Sequence, residues 1–135
     1  MTRYNKAYLD DVVETQGRLF DEVTRFSPGI DVESFIDAYM RSKTRAAIDA
    51  GQAYVGTMSA EELWEFFLKN DKYIPKKGRS IPGFIPDWIG QFYAYYQWYY
   101  GLPSSQIIDK APLDYLKAAY HGLHDLDLDL AVKKV

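Results

Sequence analysis

Few residues in this chain could do chemistry, and their spacing narrows what that chemistry would be. The 135 residues include no cysteine, which removes disulfides, thiolate metal sites and cysteine nucleophiles together. The fingerprints G-x-x-x-x-G-K-[ST], G-x-G-x-x-G, H-E-x-x-H and G-x-S-x-G do not occur. The densest set of metal-ligand types is His121, His124, Asp125, Asp127 and Asp129. Its D-x-D-x-D run opens like a calcium loop, but Leu130 stands where the sharp turn requires glycine and no bidentate Glu follows. An acidic start to a last helix, with two histidines near a turn, fits those residues better. No catalytic residue, metal or cofactor is therefore expected.

Two polar side chains interrupt apolar stripes. Lys43 lies mid-stripe in the second predicted helix and Gln16 in the first. A buried lysine is desolvated and its pKa falls, which is how catalytic lysines arise; the alternatives are snorkelling past the rim or pairing with an acid. Gln16 reads as a hydrogen-bonded core amide. Both are candidate buried polar groups.

The remaining candidates suit contact rather than catalysis. Lys72, Lys76, Lys77 and Arg79 outnumber Asp71 on a Pro/Gly-containing stretch that also carries Tyr73 and Phe84. Such a cluster can meet an acidic protein or phosphates, or simply face solvent. With a net charge of -3 nothing draws the whole chain to nucleic acid, so a protein partner is the favoured reading. Farther on, Gly90 and Ala94 lie in line four apart, flanked by Gln91 and continued by Trp98. Two small residues and a tryptophan make a shallow slot with an anchor at its end. That slot could seat another helix of the same domain, a partner, or a second copy of the chain.

The elements that must position these residues are helices. At about 100° per residue, Tyr4, Tyr8, Leu9, Val12, Val13, Leu19, Phe20, Val23 and Phe26 share one half of a wheel, which predicts a helix over Tyr4 to Phe26. Asp31 can cap a second, running to about Ala50 and ended by Gly51. Ser59-Ala-Glu-Glu62 is a capping-box pattern for a third. Ile74-Pro75, Ile81-Pro82 and Ile85-Pro86 push the backbone away from helix and predict a long loop over 71–86. From Asp87 to Gly101 runs a helix carrying Trp88, Phe92, Tyr93, Tyr95, Tyr96, Trp98, Tyr99 and Tyr100. Ser104 and Pro112 start two short helices, and the tail from His124 reads as helix although Leu126, Leu128, Leu130 and Val132 alternate like a strand. The expected fold is all-α: one domain over 1–135, five to six helices, and the 71–86 loop.

Composition sets the class. Hydrophobic residues make up 47% of the chain, enough for a core, and 12 residues are tyrosine. No segment reaches the ~20 apolar residues that span a bilayer, and the first residues lack the apolar stretch of a secretory signal, so a cytoplasmic protein without membrane contact is expected.

Three segments carry a likeness: Phe35 to Ser42 (F-I-x-x-Y-M-x-S), Trp88 to Tyr100 (W-I-G-x-F-Y-A-Y-Y-Q-W-Y-Y) and Leu123 to Val132 (L-H-D-L-D-L-D-L-A-V). Over about the last hundred residues the chain resembles an uncharacterised group of small bacterial proteins associated with toxin–antitoxin-like gene clusters. The resemblance implies an intracellular regulatory binding protein and carries over no catalytic residue. The leading expectation is a non-enzymatic interaction module, antitoxin-like or accessory, with Trp98, Gly90, Ala94, Gln91, Tyr73, Lys76, Lys77, Arg79 and Phe84 as its contacts. The alternative is a small enzyme or ligand-binding protein with a tyrosine-lined pocket near Lys43 or the two histidines.

Overall fold

Capping side chains and apolar stripes set most of the helix ends. The computed structural model describes residues 4–135. Asn5 accepts from the Ala7 amide at 2.8 Å and starts a single 3-10 turn, Lys6–Tyr8, which leads into α1, Leu9–Phe26. One face of α1 buries Leu9, Val12, Val13, Gln16, Leu19, Phe20 and Val23. Asp31 caps α2, Val32–Met40, and Ser42 caps α3, Lys43–Asp49. A single turn, α4, spans Ala53–Gly56. Ser59 and Glu62 form the full capping box of α5, Ala60–Asn70, each side chain accepting from the other's backbone.

The aromatic helix α6, Ile85–Tyr100, closes on Gly101, whose φ of 64° is a left-handed cap that glycine adopts without steric cost. Then follow α7, Ser104–Lys110, and α8, Leu113–Leu123. The tail is helical: α9, Leu128–Ala131, continues into a 3-10 turn over Val132–Lys134.

The all-helical expectation stands. Among the described residues there are nine α-helices and no strand, only a lone antiparallel bridge between Ile30 and Lys77. The count of five to six is corrected for two reasons. One- and two-turn helices such as α4 and α9 leave no wheel pattern to read, and Ser42 splits the expected second helix. Its hydroxyl donates to Tyr39 O at 2.6 Å and accepts from the Arg45 amide at 2.9 Å, ending one helix and starting the next.

The loop over 71–86 is also redrawn. Ile85 and Pro86 belong to α6, with Pro86 in the first turn, where its missing N–H costs nothing. Residues 71–84 form the connection, and its middle, at Lys76, Gly78 and Arg79, is bonded through the main chain to the entry of α2.

The centre of the fold is the crossing of α1 on α6. A Cβ added to Gly90 would stand 2.5 Å from Gln16 O, and one added to Gly17 would stand 2.2 Å from Asp87 Oδ1. Only two glycines let these backbones approach so closely. Where α1 meets α2 and α5, Phe20, Phe35, Tyr39 and Phe67 pack on one another edge to face, ring centroids 5.3 to 5.8 Å apart.

Candidate functional site

The slot along α6 exists, and the chain fills it itself. Gly90 and Ala94 are fully buried, the first against the Gln16 backbone of α1, so neither is open to a partner. Gln91 is half-buried and donates to Asp87 Oδ1 within its own helix at 3.0 Å. Trp98, also half-buried, donates its indole N–H to Tyr4 O at 2.9 Å and packs on the core edge, fastening the N-terminal turn. At Gly90 the neighbour is the Gln16–Gly17 backbone of α1.

The split at Ser42 moves the buried charge. A continuous helix would carry Lys43 inward, but the restart after Ser42 rotates the register, so Lys43 is exposed and Arg45 is 0% exposed. Lys43 is thereby corrected as a buried polar group, and Gln16 stands at 2% exposure. Gln16 Nε2 donates to Gly90 O at 2.8 Å, and its Oε1 accepts from Arg45 Nε at 2.7 Å. Arg45 Nη1 meets Asp49 Oδ1 at 2.9 Å. Asp49 in turn accepts from the Ser104 amide at 2.8 Å and the Ser104 hydroxyl at 2.6 Å. One polar chain thus ties α1, α3, α6 and α7 together. Sequence reasoning missed Arg45, Asp49 and Ser104; the available signal was Ser42 acting as a cap.

The cavities beside this centre, lined by Tyr4 and Tyr39 in turn, measure about 20 Å³ and 10 Å³, far below the several hundred Å³ of a small-molecule site. A wider, open depression of about 450 Å³ lies elsewhere, lined by Tyr73 with Glu33, Asp37 and Lys76. The tyrosines of α6 stack on one another instead, Tyr96 on Tyr100 at 4.6 Å and Tyr95 on Tyr99 at 6.2 Å. His121, His124, Asp125, Asp127 and Asp129 are exposed, and among the described residues no three His, Asp or Glu side chains gather as metal ligands. His124 stacks on Tyr120 at 4.4 Å and pairs with Asp125 at 3.2 Å.

The connection over 71–84 is a firmly held surface. Asp71 caps α3, accepting from the Lys43 amide at 2.7 Å and the Thr44 hydroxyl at 2.5 Å. Tyr73 turns inward, its ring 4.9 Å from Phe67, and burial raises its pKa. It is therefore a partly buried prop rather than an open contact. The Asp31 amide donates to Lys76 O at 2.7 Å, Val32 N to Arg79 O at 3.0 Å and Gly78 N to Gly29 O at 2.9 Å. The Asp31 carboxylate takes the Ser34 hydroxyl and the Arg79 amide, contacts that hold its pKa below the ordinary value. Ile81, 8% exposed, plugs the segment into the core.

From this fixed frame Ile74 and Phe84 project into solvent, 80% and 77% exposed. The side chains of Lys72, Lys76, Lys77 and Arg79 are exposed alongside, and among the described residues none of them forms an ion pair. Ile74 belongs with the candidate contacts; its place in an Ile-Pro pair marked the loop but not its exposure. No described helix is long and apolar enough to cross a membrane. No family model, curated protein or solved structure matches the chain.

Proposed function

We propose that the protein is a non-enzymatic interaction module, of an antitoxin-like or accessory regulatory kind, and that its contact face is the connection over 71–84. The observation that carries this reading is the exposure of Ile74 and Phe84 on a segment whose backbone is bonded at Lys76, Gly78 and Arg79 to the entry of α2. A large apolar side chain held out in water adds nothing to the fold, and a rigid frame spares a partner the entropy of ordering it. The four neighbouring cations, without an ion pair among the described residues, favour a partner whose docking segment is acidic with apolar side chains. The aromatic helix drops out of the contact face because α1 occupies its slot.

A photo-crosslinking residue placed at Phe84 in source cells tests this, with one at the exposed Glu65 of α5 as control. An adduct with an acidic protein at position 84 alone is the supporting result. Charge reversal of Lys76 and Lys77 should then weaken that complex about thirtyfold, near 2 kcal/mol. Equal labelling at both positions, or an adduct with a second copy of this chain, overturns the reading.

A further inference from the structure

Opposite charges line one open depression of this molecule without pairing. The hollow of about 450 Å³ lies between α2, the connection over 71–84 and the start of α8. Glu33 and Asp37 line it from α2, and Lys76 lines it from the connection. Among the described residues Lys76 forms an ion pair with neither carboxylate. Each carboxylate is held by a cation that does not line the hollow. Glu33 Oε2 accepts from Lys117 Nζ at 2.9 Å, and Asp37 Oδ1 accepts from Arg41 Nε at 3.2 Å. The second oxygen of each, Glu33 Oε1 and Asp37 Oδ2, takes no hydrogen bond among the described residues.

The apolar part of the lining is held in place. Ala38 and Leu113 are half-buried, and the Tyr73 ring packs on Phe67 and Phe35, centroids 4.9 and 6.3 Å away. The Lys76 carbonyl is fastened to the Asp31 amide, and the Lys117–Glu33 pair ties α8 to α2. A lining set before any ligand arrives spares the entropy of ordering it. The volume falls within the range of small-molecule sites, roughly 300 to 1,000 Å³, near its lower end. Ile74 and Phe84 do not line the hollow, so it stands whether or not a protein docks on them; Lys76 is common to both surfaces.

We infer that this hollow binds a small zwitterion with an apolar side chain, of the amino-acid or dipeptide class. Its carboxylate bonds Lys76 Nζ, and its ammonium takes the open oxygens of Glu33 and Asp37. Its side chain rests against Ala38, Leu113 and Tyr73. Complementarity selects this class over its neighbours. An anion without an ammonium meets two carboxylates, and a cation without a carboxylate meets Lys76. A neutral apolar molecule desolvates all three charges and pairs none of them. The hollow is open to water, which screens its charges, so binding is weak, roughly millimolar.

Amide spectra of the isotope-labelled whole chain, titrated with L-leucine and with leucyl-leucine into the tens of millimolar, test the site. Saturable shifts at Ala38, Tyr73, Lys76 and Leu113 with either compound support it. Leucinamide, which lacks the carboxylate, and N-acetyl-leucine, which lacks the ammonium, should each bind about fivefold more weakly than leucine. Two variants assign the charges. Lys76→Gln should weaken leucine about fivefold and leave leucinamide unchanged, while Glu33→Gln should weaken leucine and leave N-acetyl-leucine unchanged. Neither side chain is buried, so both variants should keep the wild-type helical signal in circular dichroism. The inference is overturned if neither zwitterion shifts the lining residues or if the one-charge analogues bind as well as leucine. Shifts confined to Ile74 and Phe84, or variants that fold but bind leucine as the wild type does, also overturn it.

Discussion

Arg45 and Lys43 stand two residues apart and differ in everything that matters for stability. Arg45→Met leaves Asp49 buried with its cation gone, a loss of roughly 3 to 5 kcal/mol, whereas the exposed Lys43→Met change should stay within about 0.5 kcal/mol. Urea melts of both variants check the contrast, and near-equal effects would show that the Ser42 break has been misjudged. Gln16 was legible in the sequence because an uninterrupted helix carried it inward. Arg45 was not, because a one-residue cap changed the phase and wheel patterns are blind to that. Gly90 follows the same logic: the small residue was visible as a slot, but only the fold shows the Gln16 backbone inside it. Gly90→Ala should cost on the order of 1 to 3 kcal/mol by overpacking, while Ala at Gly56, where nothing lies within 4 Å of the added atom, should be tolerated.

Among the elements, the connection over 71–84 depends on Asp31, which caps α2 and holds the Arg79 amide at 3.2 Å. Asp31→Ala should weaken the fold by about 0.5 to 2 kcal/mol at neutral pH, the range for losing an N-cap side chain. The pH dependence has a definite sign. Its hydrogen bonds, Ser34 first, hold the folded pKa below the ordinary 3.8, so the contribution is complete above that value and fades as acid protonates the folded carboxylate. The gap between wild type and Asp31→Ala in urea melts should therefore shrink as pH falls below about 3.8; a constant gap would mean that charge is not what the clamp uses. The sequence showed the Ile-Pro pairs and the cap separately. It could not show that the cap bonds to the stretch between the first two pairs, since Asp31 meets Lys76 and Arg79 only through the tertiary fold.

At the scale of the whole molecule, the excess of tyrosine is spent mainly on packing, and that gives the fold a limit in alkali. Tyr39 is enclosed by Phe20, Phe35 and Phe67, while Tyr93 donates to Ala111 O at 2.6 Å and joins α6 to the end of α7. Burial raises both pKa values far above 10.0, and Tyr4 is raised for the same first reason. Below pH 10 these groups are protonated whether the chain is folded or not, so their contribution is fully present. Above it the unfolded chain releases protons that the native state retains, and stability falls by about 1.4 kcal/mol per pH unit for each such tyrosine until its folded pKa is reached. With Tyr39 and Tyr93 acting together and Tyr4 adding in the same direction, a domain at the lower end of ordinary stability should unfold cooperatively about two to three units above pH 10. A titration that follows tyrosinate absorbance and far-ultraviolet circular dichroism on the same sample checks this. The last tyrosinate signal should rise together with the loss of helix. Smooth ionisation of all 12 tyrosines while the helical signal stays intact would mean that the aromatic interior admits hydroxide, and that its packing is looser than the ring contacts require.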